Sequence, residues 1–334
     1  MNQKVAIIIL NYNGWKDTIE CLESLRKIDY PDYLTIVVDN GSSDGSIEKI
    51  KSWAEGKLET NSEYVKYAAQ NKPIYVVEYE KEIAEKGGID KFESELQKYS
   101  PNRKIVLIKN NKNLGFSGGN NVGAKYAIQR NVKYIILLNN DTIIIDIDFM
   151  NKIIDAFRYD DNIFVVGPNI VNFSGSFDGP FIHETFLGEL FFLSLKNQIH
   201  KLLRCQPVYI DIKAISSPKP LQVYKISGAC LVFKSTFLKE IGYLDENAWL
   251  SCEEAILAEQ VIAKDGKIYF QPLTLLLHKK ARSPRNDSSR VGILSNYFKQ
   301  REYFLKTYRR YGALKISFIK FAHTFRLLLE KIRA

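Results

Sequence analysis

The stretch from Lys4 to Leu10 is almost wholly apolar and stops at Asn-Tyr-Asn-Gly, the pattern of a strand covered on both faces. Asp17 to Lys27 follows with Ile19, Leu22 and Leu25 at helical spacing. The alternation then repeats. Leu34–Val38, Lys104–Ile108 and Lys133–Leu138 read as buried strands, and Ile47–Trp53 and Gly118–Arg130 as helices. Three of these four strands run directly into loops rich in Asn, Asp, Gly and Ser, and a Gly-rich loop precedes the Gly118 helix. Alternation of this kind predicts an α/β chain with a doubly wound, mostly parallel sheet. Such sheets bind ligands at the carboxyl ends of their strands, where the unusual residues of this chain also sit.

Residues 54–103 are polar and charged, with Tyr75–Tyr79 as an extra strand, and read as an insertion on the sheet. Beyond Asp141 the rhythm changes. Asp148–Tyr159 predicts a helix and Phe164–Pro168 a strand, while Phe173–Pro220 is aromatic without periodicity. Ser227–Phe233 reads as a strand, Ser235–Ile241 as a helix, and Glu253-Glu254 opens another. Lys267–Phe270 and Leu275–Leu277 are strand-like, and no internal repeat is present. From Gly312, Leu314, Phe318, Phe321, Phe325, Leu328 and Ile332 recur at steps of four and three, with Lys315, Lys320, Arg326, Lys331 and Arg333 off that stripe. A basic amphipathic helical tail is therefore expected. Its stripe either lies on an anionic membrane or packs on protein.

With 334 residues, 46% hydrophobic and 25% charged, the chain has an ordinary globular balance, so disorder and fibrous repeats are excluded. No apolar run approaches the roughly 18 residues of a membrane-spanning helix. The first apolar stretch is too short for a secretory signal, so a cytoplasmic protein is expected unless something carries it to a surface. Cys21, Cys205, Cys230 and Cys252 are scattered singly, which fits reduced thiols rather than a disulfide framework or a zinc site. The net charge of +9 is concentrated at the C-terminus: Lys279–Ala334 carries +12 and the remainder −3. A near-neutral body with a basic tail is a localised electrostatic device. Nothing else resembles a base-reading module, so no nucleic-acid partner is expected.

Candidate chemistry clusters at the strand ends. Asp39 and Asp44 flank a Gly/Ser-rich turn, and Asp141 follows Asn139-Asn140 after a buried strand. Carboxylates and amide oxygens suit a hard divalent cation, Mg²⁺ or Mn²⁺, although Asp and Asn are also good turn formers. Asn113-Leu114-Gly115-Phe116-Ser117-Gly118-Gly119-Asn120 is a Gly-rich helix entry able to present N–H groups to an anion, without the G-x-G-x-x-G or P-loop pattern. Glu253-Glu254 at a helix start can supply a general base or complement the helix dipole. His278, closing a strand, can be a ligand or a structural histidine. His183, His200 and His323 carry no legible chemistry.

Taken in order, Val5–Asn13, Val37–Gly45, Asn113–Asn120, Leu137–Thr142, Ser227–Cys230, Leu250–Glu254 and His278 resemble the family 2 glycosyltransferases of the GT-A fold, and within them the rhamnosyltransferase-type branch. The resemblance spans roughly residues 4 to 280. It implies an inverting transferase that takes a sugar from a dTDP- or UDP-sugar to a glycan or polyprenyl-linked acceptor in cell-surface polysaccharide synthesis. It implies a catalytic domain over 1–280, with a donor half at 1–142, an acceptor half at 143–280, and a basic helical extension over 281–334. Asn11, Tyr12, Asn13, Asp39 and Asp44 would then hold the nucleoside. Asn113, Gly115, Gly118, Asn120, Asn139 and Asn140 would line the sugar and diphosphate. Asp141 and His278 would hold the metal, and Glu254, or its neighbour Glu253, would be the base. Two residues depart from the family pattern: Asn139 replaces the first Asp of Asp-x-Asp, and Glu254 replaces Asp. The lipid-linked acceptor that the resemblance implies would suit a tail lying on the inner face of the cell membrane. Two competing functions carry distinct signatures. A sugar-phosphate nucleotidyltransferase would want a Gly-rich loop with Arg and Lys after the first strand, where Asn11-Tyr12-Asn13-Gly14 stands. A catalytically inactive membrane-bound scaffold would have lost Asp141 and Glu254, and both are present.

Overall fold

A computed structural model of the chain describes residues 3–173, 175–181, 183, 186, 218–248, 251–279 and 290–333. The apolar runs become the centre of one ten-stranded sheet. Four strands from the first half lie parallel: β1 (Val5–Asn11), β2 (Tyr33–Asp39), β4 (Lys104–Lys109) and β5 (Tyr134–Asn139). Every residue of β2 is buried, as are six of seven in β1, which is why these strands read as continuous rather than alternating hydrophobics. The insertion contributes β3 (Tyr75–Glu80), which joins β4 in parallel at the sheet edge.

The helices that cross over the sheet are α1 (Trp15–Leu25), α2 (Ser46–Ala54) and α5 (Gly115–Gln129), with α3 (Lys81–Ala84) and α4 (Asp90–Leu96) inside the insertion. Two apolar layers result, one on each face of the sheet. After β5 come β6 (Thr142–Ile144), α6 (Phe149–Ala156), β7 (Ile163–Asn172), β8 (Leu221–Val223), β9 (Cys230–Lys234), α7 (Ser235–Glu240), α8 (Glu253–Ile262) and β10 (Lys267–His278). Strand β9 runs antiparallel between β5 and β7, and β10 is parallel to β7 but antiparallel to β6 and β8. The sheet is therefore parallel on one side and mixed on the other.

Three of the differences from the sequence reading matter most. Helix α5 begins at Gly115 rather than Gly118, so most of the Gly-rich stretch is helical. The two strand segments at 267–270 and 275–277 are one strand, β10, with a register shift between Gln271 and Leu275 that accommodates Pro272. The tail holds two helices, α9 (Arg290–Thr307) and α10 (Ala313–Arg333), of which only the second was expected. The two pack on each other, and Phe304, Leu305, Ile316 and Ile319 share one apolar cluster with Ala255 and Ile256 of α8. The aromatic, aperiodic segment Phe173–Pro220 lies largely outside the described residues, as do Cys205 and His200. The three described cysteines are free and buried.

Candidate active site

Register brings the first cluster together. Asn11 pairs with Asp39 across β1 and β2, and Leu10 pairs with Asn139 across β1 and β5, so three strand ends finish in one row. Asn11 Nδ2 donates to Asp39 Oδ2 at 2.7 Å and to Ser42 Oγ at 3.1 Å. The Ser42 N–H returns to Asp39 Oδ1 at 2.9 Å. Asn13, at φ 49°, donates its own N–H to Ser42 Oγ and accepts from Ser43 N–H. Tyr12 sits between them, half-buried. A non-glycine residue in the left-handed region is held there by its surroundings, here by two hydrogen bonds to one turn. Asp44 is exposed and accepts from the Ser46 N–H and hydroxyl, a local turn just ahead of α2.

Thr18 links this cradle to the next strand end. Its hydroxyl donates to Asn11 Oδ1 at 2.8 Å and accepts from Asn140 Nδ2 at 3.1 Å. A Cβ at Gly14 would stand 2.8 Å from the Asn140 amide, so a glycine lets that side chain pass. On the other flank Asn40 Nδ2 donates to Asn113 Oδ1 at 3.0 Å and to the Gly115 carbonyl at 3.1 Å, while Asn40 Oδ1 accepts from the Leu114 N–H. Asn113 Oδ1 in turn accepts from the Gly115 N–H at 2.8 Å. Gly118 faces Glu246, and Asn120 is buried with its amide on the Phe116 carbonyl.

The second cluster lies where β5 and β10 end and the antiparallel β9 begins. His278 Nε2 is 3.2 Å from Asp141 Oδ1, and His278 Nδ1 is 3.1 Å from Asp178 Oδ2. The Ser227 hydroxyl donates to the same Asp178 oxygen at 3.2 Å. Burial alone would lower the His278 imidazole, but the hydrogen bonds and charges of Asp141 and Asp178 outweigh it and push the ring up to about 9. The adjacent Lys279 donates its N–H to the Asp141 carbonyl at 2.9 Å, but its ammonium is committed to Asp17 and Glu20.

One residue along from Ser227, the Gly228 N–H donates to Glu254 Oε1 at 3.1 Å. A Cβ on Gly228 would stand 2.8 Å from that oxygen, so only glycine lets the carboxylate sit here. Cys252, at φ 68°, turns the chain into α8 and sets both glutamates in its first turn. Glu253 Oε2 is buried without a hydrogen-bond partner among the described residues. Burial, with the Glu254 charge beside it, pushes Glu253 up to about 8. Two adjacent carboxyls in unlike surroundings are an arrangement that separates a proton holder from an acceptor.

The structure thus gathers Asn11, Asn13, Asp39, Asn113, Gly115 and Asn140 along one row, and Asp141, His278 and Glu254 along its continuation. Asp178 and Thr18 were not singled out from sequence, and Asn40, Ser42 and Ser227 entered only as parts of the Val37–Gly45 and Ser227–Cys230 motifs, with no role assigned. Asp178 lies 100 residues from His278, and no local pattern joins the two.

The sequence profile described as Glycosyl transferase family 2 matches residues 6–73 and 83–215. No match is found among the curated proteins. Among solved structures, GalNAc-T7 with UDP, GalNAc and Mn²⁺ superposes with a TM-score of 0.55 at 14% identity, covering 92% of this chain and 49% of that one. The chain therefore spans about half the length of that neighbour. The mannosyltransferase PcManGT from Pyrobaculum calidifontis, in complex with GDP-Man and Mn²⁺, gives 0.52 at 13% identity over 98% and 72% of the two chains. TarS 1-349 of S. aureus, in complex with UDP-GlcNAc, gives 0.51 at 13% identity over 95% and 70%. These likenesses extend to the whole fold, that of the GT-A glycosyltransferases. With the profile matching more than half of its length, the chain belongs to glycosyl transferase family 2.

Proposed function

We propose that this glycosyltransferase moves a sugar from a dTDP- or UDP-sugar, rhamnose among the candidates, to a hydroxyl of a glycan or polyprenyl-linked acceptor, with inversion at the anomeric carbon. The product would serve cell-surface polysaccharide synthesis on the cytoplasmic side of the membrane. The observation that carries this reading is the pair Ser227-Gly228. One residue donates to Asp178 of the imidazole chain and the next to Glu254, so a leaving-group site and a base flank the same turn. The UDP, GDP-Man and UDP-GlcNAc bound by the solved neighbours support a nucleotide-sugar donor.

In this reading the Asn11–Asp39–Ser42 cradle, with Tyr12, Asn13 and Asp44, receives the nucleoside. Asn113, Gly115, Gly118, Asn120, Asn139 and Asn140 border the sugar and diphosphate. The residues 1–280 form the catalytic unit, with donor half 1–142 and acceptor half 143–280, and 281–334 extend it.

The donor set at Asp141 and His278 fits a divalent cation that displaces the Nε2 proton now shared between them: one carboxylate oxygen and one imidazole nitrogen, 3.2 Å apart, with a second carboxylate orienting the far side of the ring. Among the described residues no group of three His, Cys, Asp or Glu side chains is placed to hold a metal ion. Asp141 and His278 would hold Mg²⁺ or Mn²⁺, which supplies charge neutralisation to a departing diphosphate. Asp178 holds the His278 ring in position. Glu254, aligned by the Gly228 N–H, takes the proton from the acceptor hydroxyl. That oxygen bonds to the anomeric carbon while the bond to the diphosphate breaks and its electron pair leaves with the nucleoside diphosphate. Glu253 keeps a proton near neutral pH, which limits repulsion beside the base.

The test is thermal stabilisation by UDP, dTDP and GDP, each with and without Mn²⁺, in wild type and Asp141→Ala. A diphosphate at 100 times its dissociation constant contributes about 2.7 kcal/mol. One diphosphate should stabilise the wild type chiefly with metal, and Asp141→Ala should lose the metal dependence. Stabilisation by none of the three would overturn the reading.

A further inference from the structure

We propose that helix α10 is an interfacial helix whose outward face rests on an anionic phospholipid surface. Among the described residues no helix is long and apolar enough to cross a membrane, so this contact would lie along the surface. The helix has two apolar faces. Ile316, Ile319 and His323 are buried against the body. Leu314, Phe318, Phe321, Phe325 and Leu328 are 74%, 55%, 74%, 53% and 52% exposed. At 3.6 residues per turn, the second set falls within one stripe about half a turn from the first. The stripe runs about 21 Å along the axis, at about 1.5 Å per residue.

Charge selects the occupant. Exposed Lys315 lies on one flank of the stripe, and exposed Lys320 and Lys331 on the other. Lys320 keeps a loose pairing with Glu302 at 3.5 Å and Lys315 stands over the Tyr311 ring, so both are anchored at the rim without leaving solvent. An apolar face between two cationic rims matches acyl chains below and anionic headgroups alongside. Two copies of this helix laid face to face would instead bring lysine against lysine, which disfavours a second copy.

The position of the helix gives the contact a purpose. Its buried face packs on α9 and shares one apolar cluster with Cys252, Ala255 and Ile256, the residues that bracket and follow Glu253 and Glu254. A lipid surface under α10 would therefore lie beside the helix that carries the base. This deepens the transferase reading by naming a membrane-borne acceptor, and rests on that reading only for that link.

The experiment is flotation of the full chain with vesicles of mixed phosphatidylglycerol and phosphatidylcholine, and with phosphatidylcholine alone. Binding should favour the anionic vesicles and weaken with salt. Phe318→Glu with Phe321→Glu should reduce it by more than about tenfold. Each of Lys315→Gln, Lys320→Gln and Lys331→Gln should reduce it about fivefold. Absence of vesicle binding, equal binding to both vesicle types, or binding unaffected by the substitutions overturns the proposal. So does a concentration-dependent dimer, abolished by the Phe substitutions, in place of vesicle binding. Nucleoside diphosphate stabilisation is measured on the same samples and should be unchanged in the Phe variant. Vesicle binding without any nucleotide binding would sink the transferase reading and leave the lipid surface standing; the converse would sink only the surface.

Discussion

A single backbone N–H divides the roles of the two adjacent glutamates. Glu254 has one oxygen held by Gly228, whereas Glu253 has an oxygen buried without a partner. Glu254→Gln should therefore lower kcat by about 10²–10⁴-fold, the usual contribution of one general base, with nucleoside diphosphate affinity unchanged. Loss of nucleotide affinity together with rate would point instead to a disturbed donor site. Glu253 makes a different prediction. Its carboxyl is raised from 4.5 to about 8, so the folded chain holds a proton that the unfolded chain releases. The stability this gives is present below pH 4.5 and is lost as pH rises toward 8. Glu253→Gln removes that loss, so the melting temperature of the variant relative to wild type should climb between pH 5 and pH 8. A constant difference across that range would show that Glu253 is not held protonated. Which residues were chemically able was legible from their types and their place at strand ends. Which oxygen of which glutamate meets an N–H was not, because Gly228 and Glu254 meet only through the packing of α8 against the turn before β9.

At the scale of elements, the Gly-rich run illustrates a local pattern with two physical meanings. Read alone, Asn113–Asn120 is a loop that cradles an anion. In the structure most of the run is the first turns of α5, where glycines serve helix-to-sheet packing: a Cβ on Gly119 would run into Leu10 Cδ1 of β1, and one on Gly123, a turn further on, would stand 2.7 Å from Ile8 Cγ2 and 3.1 Å from Val38 Cγ2. Gly123→Val should destabilise the fold by about 1–3 kcal/mol through overpacking, despite the better helix propensity of valine. Denaturant unfolding measures it, and an unchanged midpoint would mean that α5 can move off β1. Strand β10 is the opposite case. Pro272 interrupts its apolar pattern, and the strand continues because the register shift absorbs the missing N–H.

At the scale of the whole molecule, the C-terminal helices are joined to the rest of the fold by polar pins as well as apolar packing. Arg309 Nε lies 2.7 Å from Glu259 Oε1 of α8, and the Tyr224 hydroxyl donates to the same oxygen. Asp245 accepts from the Tyr303 and Tyr308 hydroxyls at 2.7 and 2.8 Å. Arg309→Ala leaves Glu259 without its cation in a largely buried setting and should cost on the order of 3 kcal/mol. A melting curve unchanged by Arg309→Ala would show that the extension is held by its apolar contacts alone. The tail also marks the boundary between the two kinds of information. By itself the sequence determined the strands, their polar carboxyl ends, the residue types able to bind a nucleotide and a cation, and a basic amphipathic last helix. Those follow from periodicity and composition over a few residues. Only the tertiary structure decided that Ile316 and Ile319, rather than the Phe318 and Phe321 stripe, face the body. It alone placed Asp178 and Asp141 on the two sides of His278 and gave Gly228 to Glu254. Each of these depends on surfaces brought together from distant parts of the chain, where burial and hydrogen bonding choose among faces that are locally equivalent.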